Sequence, residues 1–180
     1  MVTEKIIEEI SEFIRISYRL KRERRKGWIT RVDVKRSESV ADHIFGTSLL
    51  ALVIGDLKSV NTCRMLRLAL IHDLAEAIVG DKTPEEKGDD TLEDKAIEKM
   101  FSHLPHKMRK SYFELWHELK SRKSPESKLF WQIDKLEMGI QSSEYILEGY
   151  SEKKLSRFLE SAKQYISDTF LIGVLKELSR

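Results

Sequence analysis

The chain has 180 residues, 41% hydrophobic and 34% charged, and its 32 Lys and Arg against 30 Asp and Glu leave a net charge of only +2. That balance disfavours dedicated polyanion binding, while the apolar content is enough for one core, so residues 1–180 are expected to form a single domain. Three prolines, eight glycines and 8% aromatic residues argue against a disordered chain and against a many-turned β sandwich, leaving an all-α fold as the expectation. The lone Cys63 cannot form an intramolecular disulfide, and the opening MVTEKIIEEI lacks the basic and apolar regions of a secretory signal. The richest apolar stretch, Leu49 to Ile54, is far short of the roughly 20 residues that span a bilayer. A soluble cytoplasmic protein without a membrane partner is expected.

Ile6, Ile7, Ile10, Phe13 and Ile14 recur at helical spacing and predict an amphipathic first helix to about Leu20. The basic run Lys21–Lys26 then reads as a solvated helix end before Gly27, where glycine can stop a helix. Residues Ile29–Arg36 alternate weakly and predict an extended connector that delivers Ser39 to the next helix. Ser39-Val40-Ala41-Asp42 resembles a capping box and opens an apolar segment through Leu57. Asn61 or Thr62 caps a further helix, predicted to run unbroken to Gly80.

From Asp81 to Asp94 the composition turns polar, with Pro84 and Gly88 as breakers, and predicts a mobile loop. Thr91 starts a short helix to His103, Pro105 fits the first turn of another through Leu119, and Ser124-Pro125-Glu126 is a strong helix start. A long buried helix follows through Leu147, and a last helix spans about Glu152 to Leu178.

His43 and His72 each lie inside an apolar helix, a setting in which a lone histidine is ordinarily a satisfied core residue. The adjacent Asp73 changes that reading, because a buried carboxylate beside a buried imidazole is costly unless a shared cation neutralises both. Imidazole and carboxylate suit Zn, Mn, Fe or Co, and with one cysteine available such a site is catalytic in type, with open positions. Glu76 follows His72 by four residues and Asp73 by three, which puts all three on one face of one helix, and Asp81 lies just past Gly80. Downstream, Asp134 sits inside the apolar stripe of the long helix and reads as a remote fourth ligand. His103, His106 and His117 read as surface residues, and Trp116 and Trp131 as core or intersubunit contacts.

His43, His72-Asp73 and Asp134 match, in order, the H…HD…D motif of the HD-domain metal-dependent phosphohydrolases. Three segments make the likeness sharper: Arg36 to His43, His72-Asp73-x-x-Glu76-x-x-x-x-Asp81, and Asp134 to Met138, which resemble the 5′-deoxynucleotidase branch over roughly Trp28 to Tyr145. The resemblance implies an HD-type helical bundle that hydrolyses deoxyribonucleoside 5′-monophosphates as a homodimer, with one divalent ion per subunit (Co, Mn, Mg, Zn or Fe). It also implies substrate contacts at Trp28, Arg31 and Arg36. Some members have Arg-Trp where this chain has Gly27-Trp28, so the phosphate-contacting arginine is replaced by Arg31, Lys26 or nothing.

A divalent ion can polarise a phosphoryl oxygen and supply hydroxide near neutral pH, which removes the need for a nucleophilic side chain. Glu76 is placed to orient or deprotonate the attacking water, and Asp81 to assist it or to protonate the leaving oxygen; the residues alone do not assign which acid does which. Two alternatives stand beside this reading. One keeps the metal site but acts on a deoxynucleoside triphosphate, a cyclic nucleotide or an alarmone. The other is a nucleic-acid-binding helical module built on Arg15, Arg19, Lys21, Arg22, Arg24, Arg25 and Lys26, which leaves the buried ligands unexplained.

Overall fold

A computed structural model describes residues 2–83, 85, 86 and 91–180. Their helices are α1 (Val2–Ser17), α2 (Lys26–Val32), α3 (Val40–Leu57), α4 (Thr62–Ile71), α5 (Glu76–Val79), α6 (Thr91–Phe101), α7 (His106–Ser121), α8 (Pro125–Leu147), α9 (Glu152–Tyr165) and α10 (Thr169–Leu178), with a 3₁₀ turn at Tyr18–Lys21. The described residues form no strand; a single isolated bridge joins Arg24 to Ser39. The all-α expectation holds.

Local signals account for several of these boundaries. Ser39 and Asp42 form the reciprocal capping box, Asp42 N–H donating to Ser39 Oγ at 3.2 Å and Ser39 N–H to Asp42 Oδ2 at 2.8 Å. Asn61 caps α4 by accepting from Arg64 N–H, and Ser124 with Pro125 starts α8. Helix α8 is the spine, packing against α3, α4, α7, α9 and α10, with its Phe130, Ile133 and Leu136 fully buried. Because α3, α4 and α8 meet side by side, polar residues on their facing sides are forced together inside the bundle.

Four sequence expectations are corrected. Of the expected connector Ile29–Arg36, residues 29–32 belong instead to α2, which also takes in Gly27, and residues 33–36 stay non-helical. Burial of Trp28 between Phe158 and Tyr145 overrides the weak alternation, and the helix stops instead at Asp33, whose φ of 69° is a left-handed cap that a short polar side chain tolerates. The basic run is not wholly solvated, since Arg24 Nη1 donates to Ser37 O at 2.7 Å and Arg25 turns inward.

The helix expected to reach Gly80 breaks at residues 72–75, where Leu74 N–H bonds to Ile71 O and Glu76 N–H to Asp73 O in tight three-residue steps. The last helix also divides. Ser167 and Asp168 give their N–H groups to Gln132 Oε1, and Asp168 caps a new helix, α10, by accepting from Phe170 and Leu171 N–H. In the polar segment after Gly80, Asp81 and Thr83 are buried and α6 begins at Thr91 as expected, whereas Pro84 and Gly88 lie outside the described residues.

Asp168→Ala should cost about 1 kcal/mol of stability at neutral pH, the usual loss for an N-cap. Burial works against the Asp168 charge, but the Lys58 ammonium at 2.6 Å and the two capped N–H groups outweigh it and hold the carboxyl below its ordinary range. A lowered folded-state pKa means that this contribution is present above the ordinary carboxylate pKa and lost as pH falls through the lowered value. Urea unfolding of both proteins checks this: their difference should shrink below about pH 4.

Candidate active site

Helix α3 supplies His43 from its first turn, the end of α4 supplies His72 and Asp73, and the middle of α8 supplies Asp134. His43 Nε2 lies 3.2 Å from His72 Nε2, 3.2 Å from Asp134 Oδ1 and 3.6 Å from Asp73 Oδ2, and His72 Nε2 is 3.2 Å from Asp73 Oδ2. His43, His72 and Asp134 are all buried and can hold a metal ion, with Asp73 against the same atoms. The break after Ile71 means that Asp73 and Glu76 do not share a regular helix with His72, yet the tightened turns still bring them to the same place.

The outer ring nitrogens show what this cluster is built to hold. His72 Nδ1 is 2.7 Å from Ala69 O, which can only accept, so Nδ1 carries the hydrogen and Nε2 presents a lone pair. His43 Nδ1 is 2.5 Å from Glu137 Oε2 and is fixed the same way. Two inward lone pairs 3.2 Å apart with two carboxylates around them call for a cation between them. Burial and the Arg25 charge both oppose a proton on His43, but Glu137 and Asp134 override them and push its pKa up to about 10. A field that attracts a proton so strongly attracts a divalent ion as well. Burial likewise opposes charge on Asp73 and Asp134, yet His72 and Arg25 hold the first well below the ordinary carboxylate range, and Lys135 with His43 does so for the second.

Above the cluster opens a cavity of about 590 Å³. Its floor carries Asp73, Glu76, Asp81, Asp134 and Arg25; Trp28, Met138 and Phe158 supply apolar wall; Arg31, Lys154 and Arg157 also line it. Arg25 is the residue that sequence reasoning misses. Its burial disfavours the charge, but Asp73, Glu76 and Asp81 raise its pKa, so the guanidinium stays cationic 3.1 Å from Asp73 Oδ2 and 3.5 Å from Asp81 Oδ1. Nothing in a run of basic residues marks one of them as the inward one.

Glu76 Oε2 is buried without a hydrogen-bond partner. Burial and then the neighbouring Asp73 charge push this carboxyl well above its ordinary range, Arg25 opposing. Asp81 is fully engaged: Oδ2 accepts from Lys26 N–H at 2.5 Å and Oδ1 faces Arg25, and burial raises its pKa against both. Gly80, at φ 75°, makes the turn that lets Asp81 N–H reach Glu23 Oε1 at 3.1 Å.

Of the expected substrate contacts, Trp28 and Arg31 line the cavity and Arg36, exposed in the turn at residues 35–36, does not. Trp28 is 2% exposed, with Nε1 donating to Glu38 Oε1 at 2.7 Å, so it is both packing and wall. Arg31 is paired with Glu85. Trp131, expected in the core or between subunits, is half-buried and lines the cavity, whereas Trp116 is core. His106 and His117 are exposed and His103 half-buried.

Residues 17–171 match the HD domain family. The human 5′-deoxynucleotidase HDDC2 is 37% identical over 173 residues, covering 93% of this chain and 83% of that protein. The 5′-deoxynucleotidase hdd1 of Schizosaccharomyces pombe is 35% identical over 162 residues, covering 86% and 81%. Among solved structures, the PH0347 protein of Pyrococcus horikoshii superposes with a TM-score of 0.79 at 30% identity, covering 94% of this chain and 98% of that one. With this match over most of its length and a buried His and Asp cluster suited to a divalent metal, the chain belongs to the HD-domain family.

Proposed function

We propose that this chain removes the 5′-phosphate of deoxyribonucleoside monophosphates, releasing deoxyribonucleoside and phosphate, with one divalent ion per subunit held by His43, His72, Asp73 and Asp134. The observation that carries this reading is the convergence of two imidazole Nε2 atoms and two carboxylates at the floor of an open cavity, beside the half-buried Arg25 and a glutamate with one unpartnered oxygen. Relatives named 5′-deoxynucleotidase support the substrate class. Among Co, Mn, Mg, Zn and Fe, the imidazole pair favours the transition metals over Mg. Such an ion stabilises charge on a phosphoryl oxygen and makes water acidic enough to attack near neutral pH.

The protein's own groups divide the remaining work. Glu76, with its free oxygen, orients the attacking water and takes its proton. Arg25 neutralises the phosphate because it lies beside Asp73 at the cavity floor, whereas Arg31 stands in a solvent-exposed pair with Glu85 and Lys26 does not line the cavity. Asp81 braces Arg25, with one oxygen accepting from Lys26 N–H and the other facing the guanidinium. The nucleic-acid reading loses Arg25, which pairs with Asp73 and Asp81, keeps Arg15, Arg19, Lys21, Arg22 and Arg24 on the surface, and leaves the His and Asp cluster unexplained.

Released phosphate, pyrophosphate and tripolyphosphate, measured with metal-loaded protein on a panel of ribo- and deoxyribonucleoside mono- and triphosphates, test the reading. Orthophosphate from deoxyribonucleoside monophosphates is expected, and tripolyphosphate release would reassign the substrate. Trp28 is proposed as the wall against a 2′-hydroxyl, a group that an apolar surface rejects by roughly 100-fold. Trp28→Ala should raise the relative rate on ribonucleotides with metal content unchanged; an unaltered deoxy-to-ribo ratio would leave Trp28 a packing residue.

A homodimer is proposed through the outer face of α3. Mean hydropathy over Val40–Leu57 is 1.5, yet only 39% of the segment is buried, and Phe45, Leu49, Leu52 and Val53 form an exposed stripe. A helix apolar on both faces needs cover on both. A second copy placed about a two-fold axis uses each stripe residue twice toward the roughly 1,600 Å² of a standard interface. Leu49→Glu combined with Val53→Glu should convert a dimer to a monomer in sedimentation velocity; a parent that sediments as a monomer sets the proposal aside.

A further inference from the structure

The side of His43 that faces away from the cavity carries a second carboxylate. Glu137 stands one helical turn beyond Asp134 on α8, so the two acids bracket the His43 ring: Asp134 Oδ1 is 3.2 Å from Nε2 and Glu137 Oε2 is 2.5 Å from Nδ1. The Glu137 side chain is 9% exposed, and an acid so buried is expensive unless something charged or donating meets it. Glu38 approaches the same atoms, its carboxylate lying within 4.8 Å of the ligand atoms of His43 and Glu137, and it accepts in turn from Trp28 Nε1 at 2.7 Å.

The room for this arrangement comes from Gly46, one turn after His43 on α3. A Cβ at that position would lie 2.7 Å from Glu137 Oε1, closer than a Cβ comes to any atom, and 3.0 Å from its Cγ, tighter than ordinary contact, so the Glu137 side chain would have to shift. Gly46 sits inside a helix with no positive φ, where alanine is ordinarily the more stable choice, so backbone freedom does not explain the glycine. The Glu137 carboxylate does.

We infer that Glu137 is the positioning residue of the metal centre, accepting the Nδ1 hydrogen of His43 so that Nε2 points at the ion, and that Gly46 is the space it requires. The inference rests on the metal site proposed above. An outer carboxylate of this kind fixes the tautomer and ring orientation of a metal-binding imidazole and raises its basicity, and losing one weakens metal affinity by about 10–100-fold. Neither Glu137 nor Gly46 touches the cavity, so their effect is read in metal binding and not in substrate contact.

The test measures the Zn(II) or Co(II) dissociation constant by competition with a chromogenic chelator. It compares the parent with Glu137→Ala, Glu137→Gln, Gly46→Ala and the double Gly46→Ala/Glu137→Ala. Glu137→Ala and Gly46→Ala are each expected to weaken binding by about 10–100-fold and to alter the visible Co(II) spectrum. Glu137→Gln keeps an acceptor for Nδ1–H and should recover most of the loss. The double variant should bind no more weakly than Glu137→Ala alone, and its metal-free thermal midpoint should be at or above that of Glu137→Ala, because the three atoms nearest the new Cβ, Glu137 Oε1, Cδ and Cγ, are then gone. Costs that multiply in the double variant overturn the inference, as does a Glu137→Ala protein that binds within threefold of the parent or a Gln variant as weak as Ala. If Glu137→Ala does not fold by circular dichroism, Glu137→Gln with and without Gly46→Ala makes the comparison: metal affinity lost only when the Cβ is added supports the inference, and none lost overturns it. A parent that binds no metal fails the metal reading and this inference together; a parent that binds while Glu137→Ala is unaffected fails this inference alone.

Discussion

Asp73→Ala is expected to abolish stoichiometric metal binding and to reduce phosphate release to background. Asp73 Oδ2 lies 3.2 Å from His72 Nε2, 3.6 Å from His43 Nε2 and 3.1 Å from Arg25 Nη1, so among the described residues it is the one carboxylate placed against both imidazoles and the half-buried guanidinium. Removing it leaves Arg25 facing the space where the ion would sit with less negative charge between them, and two like charges in a buried site repel strongly. The broken pair also weakens the fold, so Asp73→Asn, which keeps the volume, serves as the companion variant and should likewise lose the ion. Elemental analysis after stripping and reloading decides the matter. Stoichiometric metal in a folded Asp73→Ala protein would remove this residue from the ligand set.

The second large effect is expected at Glu76. Glu76→Gln should keep both the fold and the metal while turnover drops by about 100-fold or more, the scale on which a general acid or base acts. The substitution preserves shape, and because Oε2 has no partner to lose, no structural hydrogen bond goes with it. Metal content that falls with activity would make Glu76 a direct ligand instead. Near-normal turnover of the loaded, folded variant would remove it from the chemistry. Asp81→Asn is expected to do less by a different route, since its oxygens hold Lys26 N–H and Arg25.

Asp73 and Glu76 are legible in the sequence itself because ionisable side chains stand out against an apolar helical pattern. His43, His72, Asp73 and Asp134 gather as their order suggests, and Ser39, Asn61 and Ser124 cap the helices that their positions predict. What the sequence hides is set by tertiary packing. Trp28 becomes helical because Phe158 and Tyr145, more than a hundred residues later, enclose it. The helix through His72 looks continuous because every residue there tolerates a helix, and its tightening shows only in the backbone bonds. Arg25 is indistinguishable from its basic neighbours until Asp73 and Asp81 are placed around it. Glu137 carries a usable signal: three residues after Asp134 on one helix is the same face.

The long spacing of the donors also bears on when the centre comes into being. His43 and His72 are 29 residues apart in the chain and His43 and Asp134 are 91 apart, with Asp134 reaching the others only through α8, the spine of the bundle. During translation, which adds roughly 5–20 residues per second from the N-terminus, a chain stalled before residue 134 holds both imidazoles and Asp73 but lacks the helix against which α3 and α4 pack. The complete set of proposed donors thus exists only after α8 has emerged and docked, so capture of an ion by all four side chains would mark the closing of the bundle and follow synthesis of most of the polypeptide.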